Sequence, residues 1–334
     1  MLIDPFGRPI TYLRVSVTDR CNLRCVYCMP AKGIVRQSHE AILRYEEIAQ
    51  VVRAAAAEGV RHVRLTGGEP LARLGLPDLV GMIGAIPGIE EISLTSNAIL
   101  LEQSAQALKQ AGLTRVNISL DTLRPERFER ITRGGSFEAA WRGILAAEKA
   151  GLTPIKINAV ALRGINDDEF PDLARLAHDH PWEMRFIEVM PVKNQAAWGE
   201  GFPAPEETFI SIAEIQSRLS QAGLRLEPDE SAAGAGPGKA YRLPGGQGRV
   251  GFISALSEHF CQSCNRLRLT ADGNLRPCLL NNLEIPLLPA LRRGEAILPL
   301  LQRAVGQKPA GHTLEDGFAS DQPKSSRSMR EIGG

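Results

Sequence analysis

The sequence predicts an α/β protein: an incomplete (β/α)6 TIM-type barrel followed by a C-terminal α+β extension. Three features support this prediction. Six short strand-like runs alternate with helix-like stretches between residue 11 and about residue 190. Each strand-like run has one apolar face and one polar face. Beyond a segment rich in Gly, Ala and Pro, the pattern changes to that of a hairpin followed by an apolar stretch.

The predicted strands lie at residues 12–17, 62–66, 91–96, 115–120, 155–160 and 184–190. The stretches between them follow the period of a helix. In one of them Ile48, Val51, Val52 and Ala55 recur at i, i+3, i+4 and i+7, and Gly59 follows as a C-terminal cap. Repeated strand–helix alternation predicts a parallel sheet, either doubly wound or curled into a barrel.

The polar faces of the strands favour the barrel. Alternate positions carry polar residues, among them Arg14, Arg64, Thr95, Ser119 and Lys156, while the positions between them are apolar. A doubly wound sheet has helices on both faces, so its strands are apolar throughout. A closed eight-stranded barrel fills its lumen with apolar side chains. A polar lumen therefore indicates an open barrel that holds a polar ligand. An antiparallel sheet with a wetted face is disfavoured because helices intervene.

Composition divides the chain into four parts. Residues 1–227 form the predicted barrel and residues 228–240 have the composition of a linker. Residues 241–318 form the C-terminal region, in which the pair Asp272-Gly273 predicts the turn of a hairpin between 266–270 and 275–280. Residues 319–334 form a polar tail, predicted to be flexible, that ends in two glycines.

Charge and hydropathy exclude two classes of partner. Lys plus Arg exceed Asp plus Glu by 39 − 38 = 1, so no global field attracts nucleic acid. No apolar run approaches the roughly 20 residues that a membrane span requires. The first residues lack the basic and apolar regions of a secretion signal, so we expect a cytoplasmic protein.

The six cysteines form two triplets with none left over. In a reducing cytosol such spacing favours metal ligation, and disulfides would leave an odd thiol in each triplet. The triplets are Cys21, Cys25 and Cys28, and Cys261, Cys264 and Cys278.

The first triplet has the spacing C-x3-C-x2-C and follows the first predicted strand. Three thiolates on one loop can hold three irons of a [4Fe–4S] cube and leave the fourth open to a ligand. A zinc site completed by His39 is the alternative. The loop resembles that of the radical S-adenosylmethionine superfamily. This resemblance implies that S-adenosylmethionine binds the open iron and that its one-electron cleavage yields a radical that abstracts a substrate hydrogen.

Further residues carry the same resemblance. Gly67-Gly68-Glu69-Pro70 follows the second strand and is similar to the superfamily's glycine-rich segment. The resemblance assigns contacts with S-adenosylmethionine to Tyr27, Gly68, Ser119 and Met190. Without it, the two glycines would indicate a plain turn, and Ser119 and Met190 would indicate packing in the core or lumen.

The second triplet has the spacing C-x2-C-x13-C, again without a fourth cysteine, and a zinc site completed by His259 is the alternative. The stretch around it resembles the GTP 3′,8-cyclase family, and the resemblance extends from Arg14 to the terminal Gly333-Gly334. It implies a second [4Fe–4S] cluster whose open iron binds guanine. It also implies the joining of C3′ and C8 of GTP, the first step of molybdenum cofactor biosynthesis.

GTP carries about four negative charges, so its site requires several cations, of which Arg suits phosphate best. The resemblance assigns this binding to residues on the predicted strands and beside the second triplet: Arg14, Arg64, Thr95, Lys156, Arg266, Leu267 and Arg268. Leu267 would contribute only its backbone. The reacting site itself is assigned to Arg14, Arg266, Arg268, Gly333 and Gly334.

Two positions depart from the family pattern. Ala98 stands where the family usually has Gly, which puts a positive φ there in doubt, and Pro277 removes a backbone donor beside Cys278. The resemblance further implies an electron donor of the flavodoxin or ferredoxin type, product transfer to a cyclic pyranopterin monophosphate synthase, and a monomer or homodimer. The rival hypotheses are a radical enzyme that matures a peptide and a zinc-stabilised binding module.

Overall fold

The computed structural model describes residues 1–33, 37–190, 198–229, 238–258, 260–312 and 327–333. His259, Gly334 and most of the predicted linker at 228–240 lie outside the described residues.

The first part of the chain repeats strand and helix as predicted. The strands are β1 (Tyr12–Ser16), β2 (His62–Thr66), β3 (Glu91–Ser96), β4 (Arg115–Ser119), β5 (Lys156–Ala161) and β6 (Glu183–Glu188). The helices are α1 (Tyr45–Ala57), α2 (Leu76–Gly84), α3 (Leu101–Gln110), α4 (Pro125–Thr132), α5 (Phe137–Lys149), α6 (Phe170–Asp179) and α7 (Ile212–Gln221).

The C-terminal part contributes short strands and three helices. The strands are β7 (Glu227–Pro228), β8 (Lys239–Arg242), β9 (Arg249–Ile253), β10 (Arg266–Leu269), β11 (Asn274–Arg276) and β12 (Ile285–Pro286). The helices are α8 (Leu288–Arg292), α9 (Leu298–Gly306) and α10 (Met329–Ile332). None of the described helices has the length and apolar character needed to cross a membrane.

All twelve strands belong to one sheet, in the order β12-β11-β10-β1-β2-β3-β4-β5-β6-β9-β8-β7. The eight central strands, β10 to β9, are parallel, and the two at each end are antiparallel. The described strands do not close into a ring. This confirms the predicted incomplete barrel and its hairpin. The C-terminal region is not an appendage, however, because β10 pairs with β1 and β9 pairs with β6.

The alternation of each strand separates the core from the lumen. The apolar positions, such as Leu13, Val63, Leu94, Val116 and Ile157, are buried in one large core that they share with the outer helices. The opposite face carries the polar positions that predicted a polar lumen.

Helices α3 and α5 pack closely at a glycine. A Cβ at Gly143 of α5 would overlap the carbonyl oxygen of Ala98, which leads into α3. Ala98 has φ +65°, so the positive φ is kept even though Ala replaces the family's usual Gly. Its methyl group is fully buried.

We predict that Gly143→Ala lowers the free energy of unfolding by about 1–3 kcal/mol, because backbone must move to admit the methyl group. Gly81→Ala is the matched control. Gly81 also lies inside a helix, but its Cβ would meet nothing within 4 Å. We expect Gly81→Ala to raise stability by about 0.5–1 kcal/mol. Urea denaturation of both variants measures the difference, and equal effects would contradict the close approach.

Candidate active site

Three arginines occupy one row across the lumen. Arg268 of β10 lies opposite Arg14 of β1, which lies opposite Arg64 of β2. Arg14 and Arg268 are only 9% and 6% exposed. Burial, together with the charges of Arg268 and Arg64, holds the pKa of Arg14 well below its usual range. Burial likewise lowers the pKa of Arg64 and of Arg268 to about 10. This row favours a multiply charged anion.

The far side of the lumen contains cations that are already paired. Lys156 Nζ lies 2.9 Å from a carboxylate oxygen of Glu183, and Arg185 Nε lies 2.5 Å from the other. Arg115 pairs with Glu91 at 2.6 Å. Burial and the charge of Arg185 lower the pKa of Lys156 to about 8, although Glu183 opposes this.

Sequence reasoning did not single out these partners. Arg115, Glu183 and Arg185 occupy lumen positions by the same alternation that identified Arg14 and Lys156. Extending that alternation to the first residues of β4 and β6 would have found them.

Several buried polar atoms of the lumen have no hydrogen-bond partner among the described residues. They are Thr95 Oγ1 on β3, Asn158 Oδ1 on β5 and His62 Nδ1 on β2. Buried polar groups are normally paired, so unpaired ones in a polar lumen indicate where a ligand makes its hydrogen bonds. Thr95 is the residue predicted to contribute a hydroxyl contact.

The first triplet lies between β1 and α1. Cys21, Cys25 and Cys28 are free thiols, partly buried. Burial raises the pKa of Cys25, and the neighbouring Cys28 and Cys21 raise it further. The side-chain amide of Asn97 lies 3.9 Å from Cys21 Sγ. Among the described residues no three His, Cys, Asp or Glu side chains are arranged to hold a single metal ion, and His39 is exposed. A four-iron cube places its ligands farther apart than one ion does.

The glycine-rich segment lies directly against the chain that enters this loop. Gly67 has φ +146°, and a Cβ there or at Gly68 would overlap the backbone of Thr18 or Arg20. The next residue, Glu69, is buried and accepts hydrogen bonds from Ser96 Oγ at 2.9 Å and the Asn97 amide at 2.7 Å. Burial raises the pKa of Glu69 to about 7. The two glycines therefore allow a close approach to the cysteine loop that no side chain permits.

The remaining predicted S-adenosylmethionine contacts are Tyr27, Ser119 and Met190. The Tyr27 hydroxyl donates to Asp121 Oδ2 at 2.6 Å, and the Val160 amide donates to the other oxygen at 2.9 Å. Burial raises the pKa of Asp121 to about 6. Ser119 is the last residue of β4, two before Asp121. Met190 follows β6 and packs in a small cluster with Leu280, which also includes Cys278 and Met329.

The second triplet lies on both sides of the β10–β11 hairpin: Cys261 and Cys264 precede β10, and Cys278 follows β11. Cys261, Cys264 and Cys278 are also free and partly buried. The charges of Arg266 and Lys308 outweigh burial and lower the pKa of Cys264 to about 7. The Arg266 guanidinium lies over the Phe260 ring, 4.7 Å from its centroid. Leu267 is fully buried and paired with Leu13, so only its backbone is available to a ligand.

The tail connects the two triplets. The carbonyl oxygen of Gly333 accepts hydrogen bonds from Arg268 Nη1 at 2.8 Å and Arg14 Nε at 3.2 Å. Arg330 is buried and donates to the Asp19 carbonyl at 3.0 Å. Burial raises the pKa of Cys28, and the positive charge of Arg330 partly offsets this effect. The tail thus passes from the first triplet to the row of arginines.

The composition of the tail predicts mobility, but residues 327–333 are folded. Ser328 caps α10 with Glu331, and Arg327 pairs with Asp272 at 2.8 Å. These charged residues look solvated in sequence because their partners lie far away along the chain. Gly333 contacts Arg14 and Arg268, and its assignment to the reacting site stays a prediction; Gly334 lies outside the described residues.

Comparison with known proteins shows the family to which the chain belongs. The profile described as "Radical SAM superfamily" matches residues 15–177, and the profile described as "Molybdenum Cofactor Synthesis C" matches residues 182–314. A GTP 3′,8-cyclase of Moorella thermoacetica is 51% identical over 334 residues that cover 99% of each chain. One of Pelotomaculum thermopropionicum is 49% identical over the same share.

The chain belongs to the GTP 3′,8-cyclase family. The resemblance drawn from the sequence is therefore confirmed. Membership of the radical SAM superfamily likewise confirms S-adenosylmethionine and iron–sulfur clusters as the cofactors.

Solved structures confirm the fold alone. Streptococcus suis SuiB bound to S-adenosylmethionine matches with a TM-score of 0.60 and 13% identity, over 97% of this chain and 77% of that one. The protein anSMEcpe with bound AdoMet matches with a TM-score of 0.58 and 14% identity, over 97% and 90%.

We predict that Gly333→Ala releases the tail from the lumen. Gly333 has φ +75°, and a Cβ there would overlap the Thr66 hydroxyl. In the parent, Arg330 is buried and Arg327 is ion-paired. Trypsin should therefore cleave after these two residues several times faster in Gly333→Ala than in the parent. Gly306→Ala, whose Cβ meets nothing within 4 Å, is the control. Unchanged cleavage of Gly333→Ala would show that the tail does not depend on this fit.

Proposed function

We propose that this protein converts GTP to (8S)-3′,8-cyclo-7,8-dihydroguanosine 5′-triphosphate, the first step of molybdenum cofactor biosynthesis. One observation carries the proposal: the two free thiol triplets adjoin the paired strands β1 and β10, whose opposed Arg14 and Arg268 are buried and both donate to the Gly333 carbonyl. Family membership gives the reaction; the lumen gives the reason that a nucleoside triphosphate is its substrate.

The first triplet would hold a [4Fe–4S] cluster through Cys21, Cys25 and Cys28. When bound, that cluster and S-adenosylmethionine supply one-electron cleavage and hydrogen abstraction from the substrate. The residues that would hold S-adenosylmethionine are Tyr27, Gly68, Ser119 and Met190. Asp121 orients the ring of Tyr27 through its hydrogen bond, and Gly68 allows the loop to lie flat against the cysteine segment.

The second triplet would hold the other cluster, through Cys261, Cys264 and Cys278, and so fix the guanine end of GTP. Arg266 and Arg268 leave the same strand toward the lumen. Because Arg266 stands between Cys264 and the row of arginines, to which Arg268 belongs, both cations suit the phosphates of a nucleotide whose base lies at the triplet.

The triphosphate would be held by cations that lie close together in the lumen. Arg268 and Arg64 repel Arg14, and a polyanion would reduce that repulsion. Lys156 would exchange its Glu183 partner for a phosphate oxygen, and Thr95 would donate its hydroxyl. Arg14, Arg266, Arg268 and the terminal Gly333-Gly334 would contact the reacting part of GTP.

The peptide-maturation alternative has less support. A peptide backbone carries no net charge, so it would gain less than a triphosphate from the row of arginines. The family profile that covers residues 182–314 and the full-length relatives also favour the cyclase.

The partners follow from the reaction. The protein needs a one-electron donor of the flavodoxin or ferredoxin type, and its product would pass to a cyclic pyranopterin monophosphate synthase. We place it in the cytoplasm, where GTP and reduced clusters occur together, as a monomer or homodimer.

The decisive experiment is anaerobic incubation of the reconstituted protein, with about eight irons per chain, with S-adenosylmethionine, dithionite and GTP labelled with deuterium at C3′. We expect deuterium in the 5′-deoxyadenosine. The nucleotide product formed from unlabelled GTP should have the same mass as GTP. The hydrogen atom lost from C3′ is replaced by one electron and one proton, so the product is an isomer of GTP.

Cys25→Ala is the control for this experiment. It should abolish cleavage of S-adenosylmethionine but keep GTP binding, because the two triplets serve different ligands. Cleavage that depends on a peptide rather than on GTP would contradict the proposed function.

We predict that GTP affinity falls as the pH rises above about 8. The pKa of Lys156 is lowered to about 8, so the free protein loses this positive charge there, whereas bound phosphate favours the charged form. At a pH one unit above the pKa, about one tenth of the molecules are charged, and the affinity falls up to about tenfold.

Lys156→Arg separates this effect from the ionisation of GTP. Arginine stays charged throughout this range. The GTP affinity of Lys156→Arg should therefore change less between about pH 7.5 and pH 9 than the GTP affinity of the parent. Equilibrium binding at both pH values, without reductant, measures the two slopes. Parallel slopes in the two proteins would exclude Lys156 from the phosphate site.

A further inference from the structure

A buried lysine lies beside the second triplet. Lys308 follows α9 and is only 4% exposed. Its ammonium group donates to the carbonyl oxygen of Arg266 at 2.8 Å and to that of Pro277 at 2.7 Å. No Asp or Glu among the described residues forms an ion pair with it.

Those two carbonyls belong to the two arms of the triplet. Arg266 stands two residues after Cys264, and Pro277 immediately precedes Cys278. The hairpin of β10 and β11 separates the arms in sequence. A single ammonium group therefore connects the chain segments that carry the second and third cysteines.

The segment that follows Lys308 runs along the first cysteine. Arg8 donates to the carbonyl oxygens of Cys261 at 2.6 Å, Pro309 at 2.6 Å and Ala310 at 2.8 Å. Gly311 is a neighbour of Cys261: a Cβ there would be in van der Waals contact, 3.6 Å from Cys261 Cβ and 3.9 Å from its Sγ. Residues 308–311 and Arg8 thus surround the triplet from outside the hairpin.

The groups that favour the positive charge of Lys308 are the cysteine sulfurs of the second triplet. A buried ammonium group without a counter-charge is unstable. Burial lowers the pKa of Lys308, and the Cys264 and Cys278 thiolates oppose it. With no carboxylate paired to Lys308 in the described part of the chain, the cysteines and whatever they bind provide its negative partner.

We propose that Lys308 is a positioning residue of the second cluster: it holds the two arms of the triplet together and places a positive charge against the cluster. The inference rests on the proposed function in one respect, that the second triplet holds a [4Fe–4S] cluster.

The physical consequence is a change of reduction potential. Reduction by an external donor adds one electron, and hence one negative charge, to the cluster. A buried cation stabilises the reduced form more than the oxidised form, because their Coulomb interaction is weakly screened there. Net charge and hydrogen bonds to sulfur are the protein's means of setting such potentials. Removing the charge should therefore make the potential more negative.

The test uses the full-length chain with Cys21, Cys25 and Cys28 replaced by Ala, so that only the second cluster contributes. Iron content and an EPR-monitored redox titration are measured in this parent, in Lys308→Gln and in Lys308→Arg. Lys109→Gln is the matched control, because the exposed Lys109 also donates to a backbone carbonyl, that of Gly151 at 2.7 Å, on the outside of the barrel. A parent without iron would refute the second cluster itself, separately from the role of Lys308.

We expect Lys308→Gln to shift the midpoint potential to a more negative value, and Lys308→Arg and Lys109→Gln to remain near the parent. Loss of iron in Lys308→Gln but not in Lys308→Arg would equally support the proposal, since Arg keeps the positive charge that Gln lacks. An unchanged potential in Lys308→Gln with full iron content would overturn it. Equal iron loss in both Lys308 variants would also overturn it, because side-chain shape rather than charge would then be required.

Discussion

The register that brings three arginines into one row is the constraint on which the rest of this structure depends. Arg14, Arg64 and Arg268 lie in one row because their strands pair in register, and Arg14 and Arg268 are buried from the solvent that would screen their charges. Besides burial, Arg268 and Arg64 each lower the pKa of Arg14, so negative charge is favoured beside this row. The polar face of the sheet therefore suits an anionic ligand.

The tail lies against this row. The Gly333 carbonyl accepts hydrogen bonds from Arg268 and Arg14, two of the three arginines. Gly333 has φ +75°, and a Cβ there would overlap the Thr66 hydroxyl, so the chain fits this place only as glycine. A terminal segment thus forms part of the surface that a ligand of the lumen would contact.

The sequence predicted the local features well and the distant ones poorly. Alternation along single strands was sufficient to place Arg64, Thr95 and Lys156 in a lumen, because side-chain direction in a strand depends only on position. The pairing of β10 with β1 could not be predicted, since strands more than 200 residues apart carry no local signal for each other. Arg330 and Lys308 were missed for the same reason: each is charged, and its burial depends on partners from elsewhere in the chain.

The two triplets differ in how they are held. The first lies within eight residues, so its geometry is set largely by one loop and the strand before it. The second is spread over a hairpin: Lys308, after α9, connects its two arms, and Arg8 connects Cys261 to the segment that follows Lys308. The second site therefore depends on contacts from parts of the chain that lie far apart in sequence. Because β10 is also the strand that carries Arg266 and Arg268, the same folding step that assembles the second triplet brings its two arginines to the lumen. The cluster site and the substrate site on this side of the barrel are thus a single structural unit, and a change that loosens one is expected to loosen the other.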